Sequence, residues 1–397
     1  MIRLDTLATP QRRALDLIKE VAAEKGLRVY LVGGPVRDLI LGRTVIDLDL
    51  TLEDQSSVLA RSVAKRINGR VRSYPQFLTY KVTADDFPEI DIATARSEKY
   101  RQPGALPAVS AGSLVDDLVR RDFSINAIAL DIVSGEIHDP IAGLPDVEKR
   151  RIRVLHEASF ADDPTRIFRG IRLATRLQFS IEEHTLALMR EAIRTGALAT
   201  VSKERLWREL FLAFEEENAP DVIEALNDAG ALEHLLGERK IQRERLDEAR
   251  RVLAANPALD RDAVYLGAMM YGNASPVDLE GSGLSQKRVR VVMQIANEIP
   301  RYADALAEAD NDHARFKMLK HASPELLALL PAERVSKFRE YQNFRIALRG
   351  TDLEVPAGPH IAKALERARE AVFTGEINPD EARSFAREMA IKYLNRE

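Results

Sequence analysis

The chain reads as an α+β protein, in which an N-terminal mixed or antiparallel β-sheet with its helices is followed by a remainder that is all α. Three observations predict this. Helix and strand signals alternate over the first 140 residues. Two strand segments, 78–84 and 89–95, follow one another with no room for a helix, which points away from a doubly wound parallel sheet. From about residue 145 onward, apolar residues recur at three- and four-residue spacing in EEHTLALMREAIRTG, DRDAVYLGAMMYG, QKRVRVVMQIANEIP and EARSFAREMAIKYL.

In chain order, the first helix has Thr9 to cap it, Pro10 for its first turn and Gly26 to end it. Tyr30-Leu31-Val32 lies in a strand over 28–33, which Gly33-Gly34 closes before a helix begins near Pro35. Further strands are expected at 47–52, 70–74, 78–84, 89–95 and 127–133. Residues 96–119, with Pro103, Gly104 and Pro107, read as a long irregular connection, a kind of segment that in compact domains is usually functional or disordered. Breaks fall near Asp139-Pro140, Ala219-Pro220 and Glu298 to Arg301.

Composition narrows the classes. Lys+Arg 58 against Asp+Glu 62 gives a net charge of -4, so any nucleic-acid site must come from local clustering of basic residues. The absence of cysteine excludes a disulfide framework, a CxxC zinc site and thiol catalysis. The N-terminus lacks an apolar signal core and no 18-residue apolar run occurs, so a soluble cytoplasmic protein without a membrane role is expected.

Asp47-Leu48-Asp49 carries the chemistry. Strand side chains alternate faces, so Asp47 and Asp49 project together while Leu48 and Leu50 point to the core. Paired carboxylates with substrate phosphates suit Mg²⁺, and such sites serve phosphoryl or nucleotidyl transfer. Arg37, in the first turn after the glycine pair, gains nothing from the helix dipole, which makes an anion-gripping role attractive. In Arg120-Arg121-Asp122-Phe123-Ser124-Ile125-Asn126, Arg121 would meet phosphate, while Asp122 and Asn126 would bind ribose hydroxyls or orient that arginine. In Asp162-Asp163-Pro164-Thr165-Arg166, either aspartate can start a helix on which Arg166, Arg169, Arg172 and Arg176 share one face without a nearby i+4 acid. Four mutually repelling arginines are tolerable in water and useful beside a triphosphate or RNA. Each motif has a plain alternative: a solvated strand edge, a surface arginine cluster or an amphipathic helix with a wet basic face.

Taken in order, GGPVRDLILGRTVIDLDL, RRDFSINAIALD, DPIAGLPDVEKRRIRVL and ADDPTRIFRGIRLATRLQF resemble the class II tRNA nucleotidyltransferase and bacterial poly(A) polymerase family, as does VSKERLWREL further on. The resemblance covers roughly residues 28–210. It implies a catalytic head over 1–145, a helical neck with base recognition over 146–215, a helical body over 216–300 and a tRNA-holding tail over 301–397. It further implies that Asp47 and Asp49 bind Mg²⁺, that Gly34, Arg37 and Arg121 contact the nucleotide, that Asp163 and Arg166 read its base, and that Arg169 and Arg172 complete the pocket. The base chemistry agrees. A carboxylate accepts from the exocyclic amine of cytosine or adenine and a guanidinium donates to the neighbouring ring nitrogen, whereas uracil and guanine present the opposite pattern.

Glu89 and Asp91, alternating on one strand face in PEIDIATAR, are the third-carboxylate candidates. The expected partners are a tRNA 3′ end, CTP and ATP, with no protein partner inferred. RVRSYPQFLTYKV lacks the basic stretch that poly(A) polymerases tend to carry there, which favours tRNA. Complete CCA addition, partial CC or A addition, and polyadenylation all share these motifs.

Overall fold

The structure, a computed structural model, describes residues 7–308 and 312–395, and the chain divides into two compact units, Met1–Glu238 and Arg239–Glu397. In the first unit, α1 (Thr9–Lys25) buries Ala14, Leu15, Ile18, Val21 and Ala22, a stripe at helical spacing, and ends on Gly26 in the left-handed region. Thr9 does not cap it. The Arg12 N–H that its hydroxyl would have accepted donates instead to Ala8 O, so the helix starts a residue earlier than expected.

Strands β1 (Tyr30–Val32), β2 (Leu48–Leu52), β3 (Arg70–Tyr74), β4 (Thr79–Ala84) and β5 (Phe87–Thr94) correspond to the expected segments. Between them lie α2 (Gly34–Ile40) and α3 (Ser56–Arg66). Residues 96–119 are not irregular. They form a hairpin of β6 (Arg96–Lys99) and β7 (Ala108–Ala111), then α4 (Leu114–Val119) with a Ser113/Asp116 capping box. The breakers Pro103, Gly104 and Pro107 all sit in the 100–107 connection, and the flanking strands are too short and polar to signal themselves. With β8 (Ala129–Asp131) and β9 (Ile137–His138), a seven-stranded sheet runs β3-β4-β5-β2-β1-β8-β9. β2 and β5 pair in parallel and the remaining neighbours are antiparallel, so the sheet is mixed, as the missing helix between 84 and 89 required.

The two faces of this sheet have different fates. Leu48, Leu50, Leu52, Val82, Ile90 and Ile92 are almost wholly buried on the side where α1 and α3 pack. On the other side, Leu114 and Leu118 of α4 pack on Tyr30, Val32, Ala127 and Ala129, which covers the β1–β8 part and leaves the neighbouring β2–β5 stretch open.

The chain then turns helical with α5 (Gly143–Glu148), α6 (Ser159–Asp162), α7 (Thr165–Leu177), α8 (Glu183–Arg194), α9 (Lys203–Phe214) and α10 (Ala219–Asp228). α7 packs against α9 and α10, and its Gly170 lies against the buried Phe123 ring, where a Cβ would come within 2.8 Å of Cζ. The second unit is helical throughout its described residues, its last two long helices, Pro359–Phe373 and Ala382–Leu394, meeting through Ala364, Ala368, Ala386 and Ala390.

Candidate active site

The site begins where β2 faces the open side of the sheet. Parallel pairing sets Asp49 level with Asp91, so both carboxylates project from the same face, and Asp47, exposed just before β2, lies two residues from Asp49. Burial pushes the Asp49 carboxyl up to about 6, helped by the charges of Asp91 and Asp47 and opposed by Arg121 and Lys81. Asp91 is raised as well, first by burial, with Lys81 pulling the other way from 3.7 Å. Glu89 is tied to Lys81 by an ion pair.

These donors fit a hard divalent cation, because a bound dication would offset the burial that raises both carboxyls and the lesser repulsion between neighbouring acids. Among the described residues no group of three or more His, Cys, Asp or Glu side chains is placed to hold a metal ion. A pair such as Asp49 and Asp91 is enough for Mg²⁺, which takes one or two carboxylates and completes its shell with water and substrate phosphate.

The arginines are held by acids that local spacing did not single out. Gly33, at φ 74°, is the residue that turns the chain into α2, and a Cβ there would stand 2.7 Å from Arg121 Nη1. The glycine thus admits the Arg121 guanidinium against the backbone. Asp117 at the end of α4 is fully buried and accepts from Arg121 Nη2 at 2.7 Å and Arg120 Nη2 at 2.7 Å. Burial alone would raise its carboxyl, but Arg121 and Arg120 hold it below the usual range. Glu98 of β6 gathers Arg96 and Arg120 in the same way, at 3.1 and 2.9 Å. The i,i+3 and i,i+4 spacing of Asp117 with Arg120 and Arg121 was a usable signal, and the Glu98 contact was not.

Arg37, 3% exposed, donates to Asp38 and to Asn126 Oδ1 at 2.6 Å. Asn126 Nδ2 donates to Asp122 Oδ1 at 3.1 Å, and Arg169 Nη2 reaches Asp122 Oδ2 at 2.9 Å. Arg37, Asn126, Asp122 and Arg169 therefore form one relay from the glycine turn to α7. Arg121 is oriented by Asp117 and not by Asp122 or Asn126. Just before α7, Asp163 Oδ1 accepts from Thr165 N–H, from Thr165 Oγ1 and from Arg205 of α9, while Pro164 occupies the cap position. Arg166, 4% exposed, donates to Arg120 O at 3.0 Å and Ser159 Oγ at 3.3 Å. The basic face of α7 is not unrelieved: Arg172 lies 3.8 Å from Glu209 and 3.6 Å from Glu216, and Arg176 lies 3.7 Å from Glu216. The compensating acids come from α9 and the turn after it, which is why a search along α7 alone missed them.

A cavity of about 670 Å³ joins these parts. Gly34, Asp49, Arg121, Asp122, Asn126, Asp163, Arg166 and Arg169 line it, together with Arg96, Glu98, Tyr100, Arg120 and Arg205, which the sequence reading had not named as site residues. Asp47, Arg37 and Arg172 do not line it. A second cavity of about 460 Å³ shares Asp49, Phe77, Arg96, Arg120 and Arg121 and extends over the open sheet face to Lys81 and Asp91. Asp49 thus stands at the junction of two spaces, with arginines on the walls of both.

Residues 29–153 match the poly A polymerase head domain, and residues 178–241 match a segment described as the probable RNA and SrmB-binding site of polymerase A. The A-adding tRNA nucleotidyltransferase of Geobacter sulfurreducens is 31% identical over 93% of this chain and 46% of its own length. The CC-adding tRNA nucleotidyltransferase of Deinococcus radiodurans is 37% identical over 56% of this chain and 59% of its own. The chain spans about half the length of the curated relatives it matches. A CCA-adding enzyme solved in an apo form superposes with a TM-score of 0.80 at 25% identity, over 98% of this chain and 97% of that one. With the head, the RNA-binding segment and the whole architecture in common, the chain belongs to the class II tRNA nucleotidyltransferase and bacterial poly(A) polymerase family.

Proposed function

We propose that this chain adds CCA to the 3′ end of tRNA from CTP and ATP, without a nucleic-acid template and with release of pyrophosphate. The observation that carries the reading is that one arginine-lined cavity holds both Asp49 and Asp163, the base-reading acid. Asp47 and Asp49, with Asp91 as the third carboxylate, would hold Mg²⁺, which when bound makes the attacking hydroxyl more acidic and withdraws charge from the phosphates.

The chain's own groups do the rest. Arg121, braced by Asp117 against the Gly33 backbone, and Arg120 face the triphosphate, and Asp122 and Asn126 present polar atoms to the ribose. Asp163 accepts the exocyclic amine of cytosine or adenine. Arg166, with two hydrogen bonds made to Ser159 and Arg120, keeps donors for the ring nitrogen. Uracil or guanine would leave buried polar groups unmatched, at roughly 1–3 kcal/mol per group. The relay from the buried Arg37 through Asn126 and Asp122 fixes Arg169 in the same wall, so binding costs little reorganisation. Arg172, turned toward Glu209 and Glu216, supports that wall from behind. The division into head, neck, body and tail belongs to this proposal, with the helices of 301–397 contacting tRNA. No helix among the described residues is long and apolar enough to cross a membrane.

The test is incorporation of labelled CTP and ATP, separately and together with Mg²⁺, into tRNA transcripts ending at the discriminator base, at C or at CC. Addition of CC and then A, stopping there, supports complete CCA synthesis. The long alignment with an A-adding relative favours one second reading, addition of the terminal A alone. Incorporation confined to ATP on the CC-ended transcript would establish it, and long A tails on unrelated RNA would replace both with polyadenylation.

A further inference from the structure

We infer that Arg205 is a positioning residue for base selection, fixing Asp163 so that its Oδ2 faces the nucleotide. The inference rests on the tRNA nucleotidyl transfer proposed above and deepens it.

Asp163 Oδ1 is fully engaged, accepting from Thr165 N–H at 3.1 Å, Thr165 Oγ1 at 2.6 Å and Arg205 Nη2 at 2.9 Å. No described residue donates to Oδ2, so that is the oxygen left to accept from a base. The torsion that sets a carboxylate plane is soft, and without external donors the two oxygens would exchange roles. Thr165 lies two residues away and moves with the same turn. Arg205 comes from α9 and fixes the carboxylate relative to a second helix.

The other half of the same guanidinium does something different. Arg205 Nη1 donates to Gly104 O at 2.9 Å, in the loop between β6 and β7. Gly104 also donates its N–H to Ala161 O at 3.1 Å, and at φ +71° its Cα presses so closely on Thr200 that a Cβ would lie 2.3 Å from Thr200 Oγ1 and 2.5 Å from Thr200 O. The loop is seated through a residue that can have no side chain. One guanidinium thus bridges the seated loop and the base-reading acid, and its planar fork is what makes two simultaneous contacts possible.

The experiment uses the full chain, Mg²⁺ and CC-ended tRNA, and measures kcat and KM with ATP and with UTP for wild type, Arg205→Met, Arg205→Lys, Gly104→Ala, Asp163→Ala and the Arg205→Met/Asp163→Ala double variant. Arg205→Met is expected to reduce the preference for ATP over UTP by about tenfold, mainly through KM for ATP. It should add nothing in the Asp163→Ala background. Gly104→Ala should shift the preference in the same direction. Arg205→Lys, which keeps the charge and spans one acceptor, should fall between, and it keeps the test open if the methionine variant folds poorly. Melting temperatures of all variants separate misfolding from mispositioning. Unchanged base preference in Arg205→Met and Arg205→Lys, or an equal added loss in the double variant, overturns the role of Arg205. A folded wild type that transfers no nucleotide to any tRNA overturns the functional reading and this inference with it.

Discussion

Asp49 is a carboxylate that the metal-free fold holds at a cost, and removing its charge should stabilise the protein while destroying its activity. The perturbation is Asp49→Asn, studied with chelator present. Burial, with Asp91 and Asp47 adding to it, raises the carboxyl from 3.8 to about 6. A raised acid binds more protons folded than unfolded, so stability falls as pH rises between those two values, and the whole penalty is present at pH 7. At about 1.4 kcal/mol per pH unit the penalty is about 2–3 kcal/mol, and asparagine, nearly isosteric and neutral, relieves it. For a unit of this size that corresponds to a melting temperature about 4–12 °C higher. The assay is thermal unfolding of wild type and variant, both in chelator, at pH 7 and at pH 4. The gap should be large at pH 7 and nearly closed at pH 4, and adding Mg²⁺ at pH 7 should raise the wild type more than the variant. An Asp49→Asn protein no more stable than wild type at pH 7, or a gap independent of pH, would refute the reasoning.

The third carboxylate is testable by contrast: Asp91→Asn should reduce transfer at least a hundredfold, whereas Glu89→Gln, whose carboxylate is engaged by Lys81, should stay within about threefold of wild type in the labelled-nucleotide assay. Asp47→Ala should abolish transfer with every nucleotide, while Asp163→Ala should retain transfer but relax the choice among bases. Equal loss from both, with base preference intact in any residual activity, would sink the template assignment. Gly33→Ala forces a side chain into the left-handed region and against Arg121, so it should cost about 1–2 kcal/mol of stability and raise KM for the nucleotide about tenfold, measured by melting and by initial rates.

What could be read along the chain was whatever has a local cause. The helical stripe of α1, the β2 alternation that aims Asp49 away from Leu48 and Leu50, and the arginine face of α7 each follow from the period of one element, and all are present. The hairpin at 96–111 escaped because its strands are brief and polar, and the Thr9 cap failed because the backbone of Ala8 satisfied the same N–H. The resemblance supplied the grouping of motifs that periodicity could not.

The sequence by itself determined that carboxylates alternate on a strand, that a glycine turn precedes a helix with an arginine in its first turn, and that a basic helix follows the head. Only the tertiary structure decided which groups meet. Parallel pairing of β5 with β2 chooses Asp91 over Glu89 as Asp49's neighbour, because the register decides which of two residues on the same face stands level with it, and a two-residue slip would exchange them. Glu98, Glu209, Glu216 and Arg205 reach the arginines and Asp163 from other elements, so no spacing in the chain encodes them. Charges buried in packed walls must find partners in space, and the fold supplies those partners from wherever the chain returns.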